Sequence, residues 1–245
     1  MKIRRRRPIV EPIAVYDSHD PRLNDRDQLN AWARAQGLRP TVAYRWEIYR
    51  TDHLFARCYE YAADHNGVLR WDPDADHYAR ATPHNAPLTS LPPDLWMVEL
   101  PFGLPLFTAN DRGGWQVRHT RTRALRTAAA IAARNANIPS LPAAHVIAEY
   151  RPGPRTRRRD PANWAPAFKA AADGALVDAQ ILPDDDAAHL IGPDPRLGPP
   201  DPEAAQAGQR WGRIVLYIRA RQPDVGVGHP ERKAVEPAAC ARSQR

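Results

Sequence analysis

Cysteine is almost absent from this chain. Cys58 and Cys240 are the only two, far apart and outside any Cys-x-x-Cys spacing, which excludes a disulfide framework and a thiolate zinc site. Lysine is nearly as scarce: Lys2, Lys169 and Lys233 are the only examples among 35 basic residues. The nine histidines are dispersed and form no His-x-x-x-His pair, so a histidine-held metal has no support. No apolar run approaches the roughly 18 residues that a membrane span needs. The basic start, MKIRRRR, also lacks the apolar stretch and cleavage site of a secretory signal. The expected location is therefore the cytoplasm, with neither a membrane partner nor a nucleotide cofactor.

Positive charge and proline are abundant instead. A net charge of +7 and a pI near 9.8 suit an acidic polymer such as a nucleic acid. Because nearly every basic residue is arginine, as nucleotide composition alone would produce, arginine counts carry little weight. The 26 prolines, many of them clustered, and the length of 245 residues favour two modules with loose ends.

In the first module, residues 1–82, Asn24 is placed to cap a helix over residues 25–36, with Leu29, Trp32 and Ala33 on one face and Gly37 as its stop. Residues 42–49 and 54–61 have the aromatic and branched content of strands. Asp64-His65-Asn66-Gly67 reads as a turn before residues 68–71. Pro83, Pro87, Pro92 and Pro93 then exclude a helix and predict an extended linker over residues 83–94.

The second module, residues 95–221, opens on a strand candidate at 95–100, followed by a loop through Asn110, Asp111, Gly113 and Gly114 and a short strand near Gln116. A helix is expected over residues 122–136, with Leu125 and Ile131 on its apolar face and Arg123, Arg126 and Arg134 outward. Residues 144–150 predict a strand. Residues 165–178 predict a helix with Phe168, Ala172 and Leu176 buried, capped by Asn163 and with Pro166 in its first turn. A short strand at 188–191, a mobile proline-rich loop at 192–208, a strand at 213–220 and a disordered tail over 222–245 complete the reading. The expected fold class is α+β: a mixed sheet with two helices, preceded by a small α+β module.

The most informative stretch is RRRDPANWAPAFKAAADGALVDAQILPDDD, where a basic run, a helix and an acidic turn follow one another. Asp160 and the cluster Asp184, Asp185 and Asp186 offer oxygen ligands for a divalent cation, and the arginines can hold phosphate. Lys169 and Asp173 lie four residues apart and share a helix face, from which a lysine can reach a scissile phosphate. Each residue also has an ordinary reading. The aspartates suit solvated turns, Asn163 a helix cap, Lys169 and Asp173 a surface ion pair, and the arginines a solvated charge run.

The order RRRDPAN, KAAAD and PDDD resembles the RusA family of Holliday junction resolvases, whose core runs basic residues, Asp-x-Asp-Asn, a helix with Lys-x-x-x-Asp and an Asp-Asp turn. The resemblance extends over about residues 95–221. It implies a Mg²⁺- or Mn²⁺-dependent homodimer that binds four-way DNA and makes paired symmetric nicks in recombination and repair, often encoded by phage. It further implies that Asp160, Lys169 and Asp185 are catalytic, with Asp160, Asp185, Asp173 and Asp184 as metal ligands. DNA contacts would come from Arg118, Arg121, Arg123, Arg157, Arg158, Arg159 and Asn163. Two departures stand out. Ala162 replaces the second aspartate of the motif, and Asn163 and Lys169 are about three residues further apart than in the family. The first departure leaves a second expectation open, a branched-DNA-binding protein without catalysis.

Overall fold

The run IVLYI within Arg213–Arg221 is uninterruptedly apolar because that strand is covered on both faces. The computed structural model describes residues 11–18, 25–51, 53–66, 68–75, 77–153, 160–209 and 211–222. The fold is α+β. Along the chain it places β1 (Ala14–Asp17), α1 (Arg26–Ala35), β2 (Ala43–Arg50), β3 (Leu54–Glu60), β4 (Trp71–Asp72), β5 (His77–Tyr78), β6 (His84–Pro87) and β7 (Leu95–Glu99). There follow α2 (Trp115–Asn135), β8 (Ala143–Arg151), a 3-10 turn (Pro161–Trp164), α3 (Ala165–Asp173), a π-helical turn (Gly174–Asp178), β9 (Leu190–Leu197), α4 (Pro202–Gln206) and β10 (Arg213–Arg221). No described helix is long and apolar enough to cross a membrane.

One sheet has the order β1-β2-β3-β6 and is antiparallel throughout. A second has the order β7-β10-β8-β9, in which β9 runs parallel to β8 and the other pairs are antiparallel. Side chains alternate along β10 between two cores. Ile214, Leu216 and Ile218 meet Leu125, Ala129, Phe168 and Leu176 from α2, α3 and the π-helical turn. Val215 and Tyr217 instead join Leu95, Ile147, Tyr16, Leu29, Trp46 and Ile48. Each large side chain so buried contributes about 1.5–3 kcal/mol relative to exposure.

This second core crosses the boundary expected near residue 94. Tyr16 Oη donates to Asp94 at 2.6 Å, and Arg219 donates to the Val15 carbonyl at 2.5 Å while lying over the Tyr16 ring. The stretch 83–94 is not simply a linker either, because β6 pairs with β3. Pro87 is tolerated in β6 because an edge strand has one side with no ladder to complete.

Other expectations need correction. Gln116 lies in α2, which starts seven residues before the expected Thr122, and Ile131 is 53% exposed rather than in the apolar face. The supposed mobile loop 192–208 contains most of β9 and all of α4, whose buried cap Asp201 accepts the Glu203 and Ala204 amides. The cap of α1 is Asp25, accepting the Gln28 amide at 3.0 Å, and Asn24 lies outside the described residues, as do Gly67 of the expected turn and residues 223–245 of the expected tail. Gly37 does end α1, at a φ of 76° that a glycine adopts without strain.

Candidate active site around Lys169

Helix α3 delivers the sequence-predicted lysine, and its approach is built by short-range capping. Asp160 Oδ1 accepts the Ala162 amide at 3.0 Å, and Pro161 occupies the first position of the 3-10 turn, where an amide is not needed. Asn163 is not the cap. It lies inside that turn, where its side-chain oxygen accepts from Asn110 Nδ2 at 3.1 Å and its carbonyl accepts from Ala109 N at 2.9 Å. The turn is thereby tied to the loop before α2.

Lys169 Nζ donates to Asp173 Oδ1 at 2.6 Å, one helical turn on, and also to Asp185 Oδ2 in the turn that follows the helix. Asp184 shapes that turn by accepting the Asp185 amide at 2.7 Å. Two carboxylates predicted from sequence thus meet on one predicted ammonium. The stretch from Ala170 to Ala172 is entirely alanine and buried, and with Gly174 it lets α3 and the π-helical turn pack closely on α2.

From α2 comes a residue that the sequence reading turned outward. Arg126 donates to Asp178 at 2.6 and 2.8 Å and to Asp173 Oδ2 at 3.4 Å. Asp173 therefore sits between Lys169 and Arg126 with only 14% of its side chain exposed. The available signal was the small-residue face of α3 with Gly174, which marks a close helix neighbour without saying which residue it carries.

The charges are mutually supporting. Partial burial opposes the Lys169 ammonium, but hydrogen bonds to Asp173 and Asp185 outweigh it and raise its pKa. The hydrogen bond and charge of Lys169 hold Asp185 below the ordinary carboxylate value. Arg126 does the same for Asp178, mainly through its hydrogen bonds. Asp186 is lowered by His189, whose ring nitrogen lies 2.7 Å from its carboxylate.

Among the described residues, no group of three or more His, Cys, Asp and Glu side chains stands close enough together to hold a metal ion. The pair Asp173 and Asp185 still fits the chemistry of Mg²⁺, which takes one or two carboxylates and fills its other positions with water and phosphate.

The arginines expected to contact DNA are distributed differently. Arg118 and Arg121 both reach Asp111, at its carbonyl (3.1 Å) and its carboxylate (3.3 Å), while Arg123 is exposed on α2. Arg157, Arg158 and Arg159 lie outside the described residues. The first turns of α2 are exposed, with Trp115 at 74% and Val117 at 47%.

Comparison of the sequence with protein-family models finds no matching family, and comparison with curated proteins finds no match.

Proposed function

We propose that this chain is a Mg²⁺-dependent, structure-selective endodeoxyribonuclease that resolves four-way DNA junctions in the cytoplasm. The observation that carries the reading is the convergence of Asp173 and Asp185 on Lys169. It joins the Lys-x-x-x-Asp helix and the Asp-Asp turn of the RusA-like pattern, which lie in different structural elements.

In this reading Asp185 and Asp173 hold the ion, while Asp160 and Asp184, which the resemblance also implies as ligands, cap the 3-10 turn and the acidic turn. When bound, Mg²⁺ or Mn²⁺ would polarise the scissile phosphate and make an attacking water more acidic. Lys169 stays protonated at neutral pH and sets a positive charge where phosphate oxygens gain negative charge. Arg126 reaches the other oxygen of Asp173 from α2. Arg118, Arg121 and Arg123, with Arg157, Arg158, Arg159 and Asn163, supply backbone contacts, so junction affinity falls steeply with salt. A homodimer matches the two-fold symmetry of the substrate. The second reading, junction binding without cleavage, is favoured by one observation: Ala162 stands where the motif has an aspartate.

The test is cleavage of a labelled synthetic four-way junction beside linear duplex, with Mg²⁺, Mn²⁺ or EDTA, for wild type and Asp185→Asn. Paired metal-dependent nicks on the junction that vanish in the variant are expected. Tight junction binding with no cleavage under any metal would replace this reading with the binding protein and make Ala162→Asp the variant to examine.

A further inference from the structure

The first sheet has an outer face that none of the chemistry above uses. Trp46, Ile48, Ala56 and Cys58 point inward to the shared core, so alternation turns Arg45, Glu47 and Tyr49 of β2 and Phe55, Arg57 and Tyr59 of β3 the other way. From this face a chain of five aromatic rings runs onto the small β4-β5 hairpin: Tyr59, Tyr44, Tyr61, Tyr78 and Trp71. Successive ring centroids are 6.3, 4.9, 5.7 and 5.3 Å apart. Trp71 and Tyr78 are 52% and 42% exposed, although burying such rings is worth more than leaving them in water. Guanidinium groups accompany the rings. Arg80 lies over Tyr44 at 5.3 Å, and Arg45 and Arg57 lie over Tyr59 at 5.8 and 5.7 Å. The central carboxylate, Glu47, is taken up by Arg45, Tyr49 and Tyr59, and Asp72 beside Trp71 accepts the Asp74 and Ala75 amides. Asp72 keeps its charge and Asp74 is exposed on the hairpin, so the positive charge of the stripe lies towards its sheet end, on the exposed Arg57 and Arg80.

Rings in file with cations alongside match a polyanion that carries its own aromatic faces. We infer that this stripe is a binding surface for single-stranded nucleic acid, on which unpaired bases stack against Trp71, Tyr78 and Tyr61 while Arg57 and Arg80 hold the phosphates. Duplex is disfavoured, because its base faces are already stacked on one another. The inference is independent of the nuclease reading, since it needs neither metal nor the Lys169 site.

The experiment is fluorescence anisotropy of the full chain in EDTA with labelled oligothymidylate, oligouridylate and duplex of equal length, about 15 nucleotides. Single-strand binding is expected to depend on the stripe and duplex binding not to, and the thymidylate and uridylate arms separate DNA from RNA as the strand preferred. Trp71→Ala with Tyr78→Ala should weaken single-strand binding about tenfold or more, while Trp71→Phe with Tyr78→Phe retains it. Quenching of tryptophan fluorescence on binding, lost in Trp71→Phe, reports the stack directly. Unchanged single-strand affinity in the double-alanine variant, or an equal loss of duplex affinity in it, overturns the inference. Both exposed side chains can be removed without opening the core, so the far-ultraviolet circular dichroism of the variants should match wild type.

Discussion

Gly174 lies against Arg126 so closely that a side chain on it would sit 2.6 Å from the Arg126 Cα and nearer still to its carbonyl oxygen. This approach lets the Arg126 guanidinium reach back to Asp173 and Asp178. Gly174→Ala would gain about 0.5–1 kcal/mol from helix propensity. The overpacking cost of about 1–3 kcal/mol exceeds that gain, so net destabilisation is expected. Urea denaturation of the two proteins checks it, and an unshifted or raised midpoint would show that the close approach is not required.

Asp185 is held below the ordinary aspartate value of 3.8, first by the hydrogen bond from Lys169 and then by its charge. A carboxyl depressed in the folded state favours folding above the ordinary aspartate range, and that contribution is lost as pH falls through the depressed value. In Lys169→Met the Asp185 carboxyl should return towards 3.8, a change that carboxyl ¹³C titration by NMR resolves. Identical titration in both proteins would mean that the pair does not persist in solution.

How much of this was legible follows from where each signal resides. The inner strands and α1 announce themselves through branched and aromatic runs and local stops such as Gly37, and β10 through an apolar run that only burial on both faces explains. That run argues against two separate modules, since something has to cover Val215 and Tyr217. Proline makes β6 resemble a linker and the part of β9 beyond Ile191 a loop, although it is compatible with their edge positions. The first turns of α2 carry no stripe because no described residue buries them. At the site, the Lys169 and Asp173 pairing is readable from their four-residue spacing. The hold of Arg126 on Asp173 depends on helix packing across 47 residues, which no local pattern encodes.

A partly buried ion network closes one end of the second sheet. Arg213 donates to Asp201, which is 1% exposed, to Glu203, and to Glu99 at 3.2 Å, while Arg151 joins Glu99 to Glu149 at 3.1 and 2.8 Å. Arg213→Met would strand the Asp201 carboxylate away from water, at a cost of about 3–5 kcal/mol. Asp201→Asn keeps an acceptor for the Glu203 and Ala204 amides and should cost less. Chemical denaturation ranks the two variants, and a milder effect for Arg213→Met would show that water reaches Asp201.

Cys58 offers a direct probe of the core shared by the two sheets. It is 1% exposed, and burial, helped by the charge of Glu60, pushes its thiol from the ordinary 9.0 to about 11. Thiol reagents attack the thiolate, so both access and ionisation protect Cys58 in the folded protein. In a Cys240→Ser background, a disulfide reagent at pH 8 should leave the native protein unlabelled and react at once after denaturation. The same shift works against stability in alkali. The unfolded chain ionises first, so the contribution of Cys58 declines as pH rises from about 9 to 11, and Cys58→Ala should be less sensitive across that interval. Rapid native labelling at pH 8 would mean that the face of β3 carrying Cys58 opens to solvent, and with it the core that Trp46 and Ile48 share with Val215 and Tyr217.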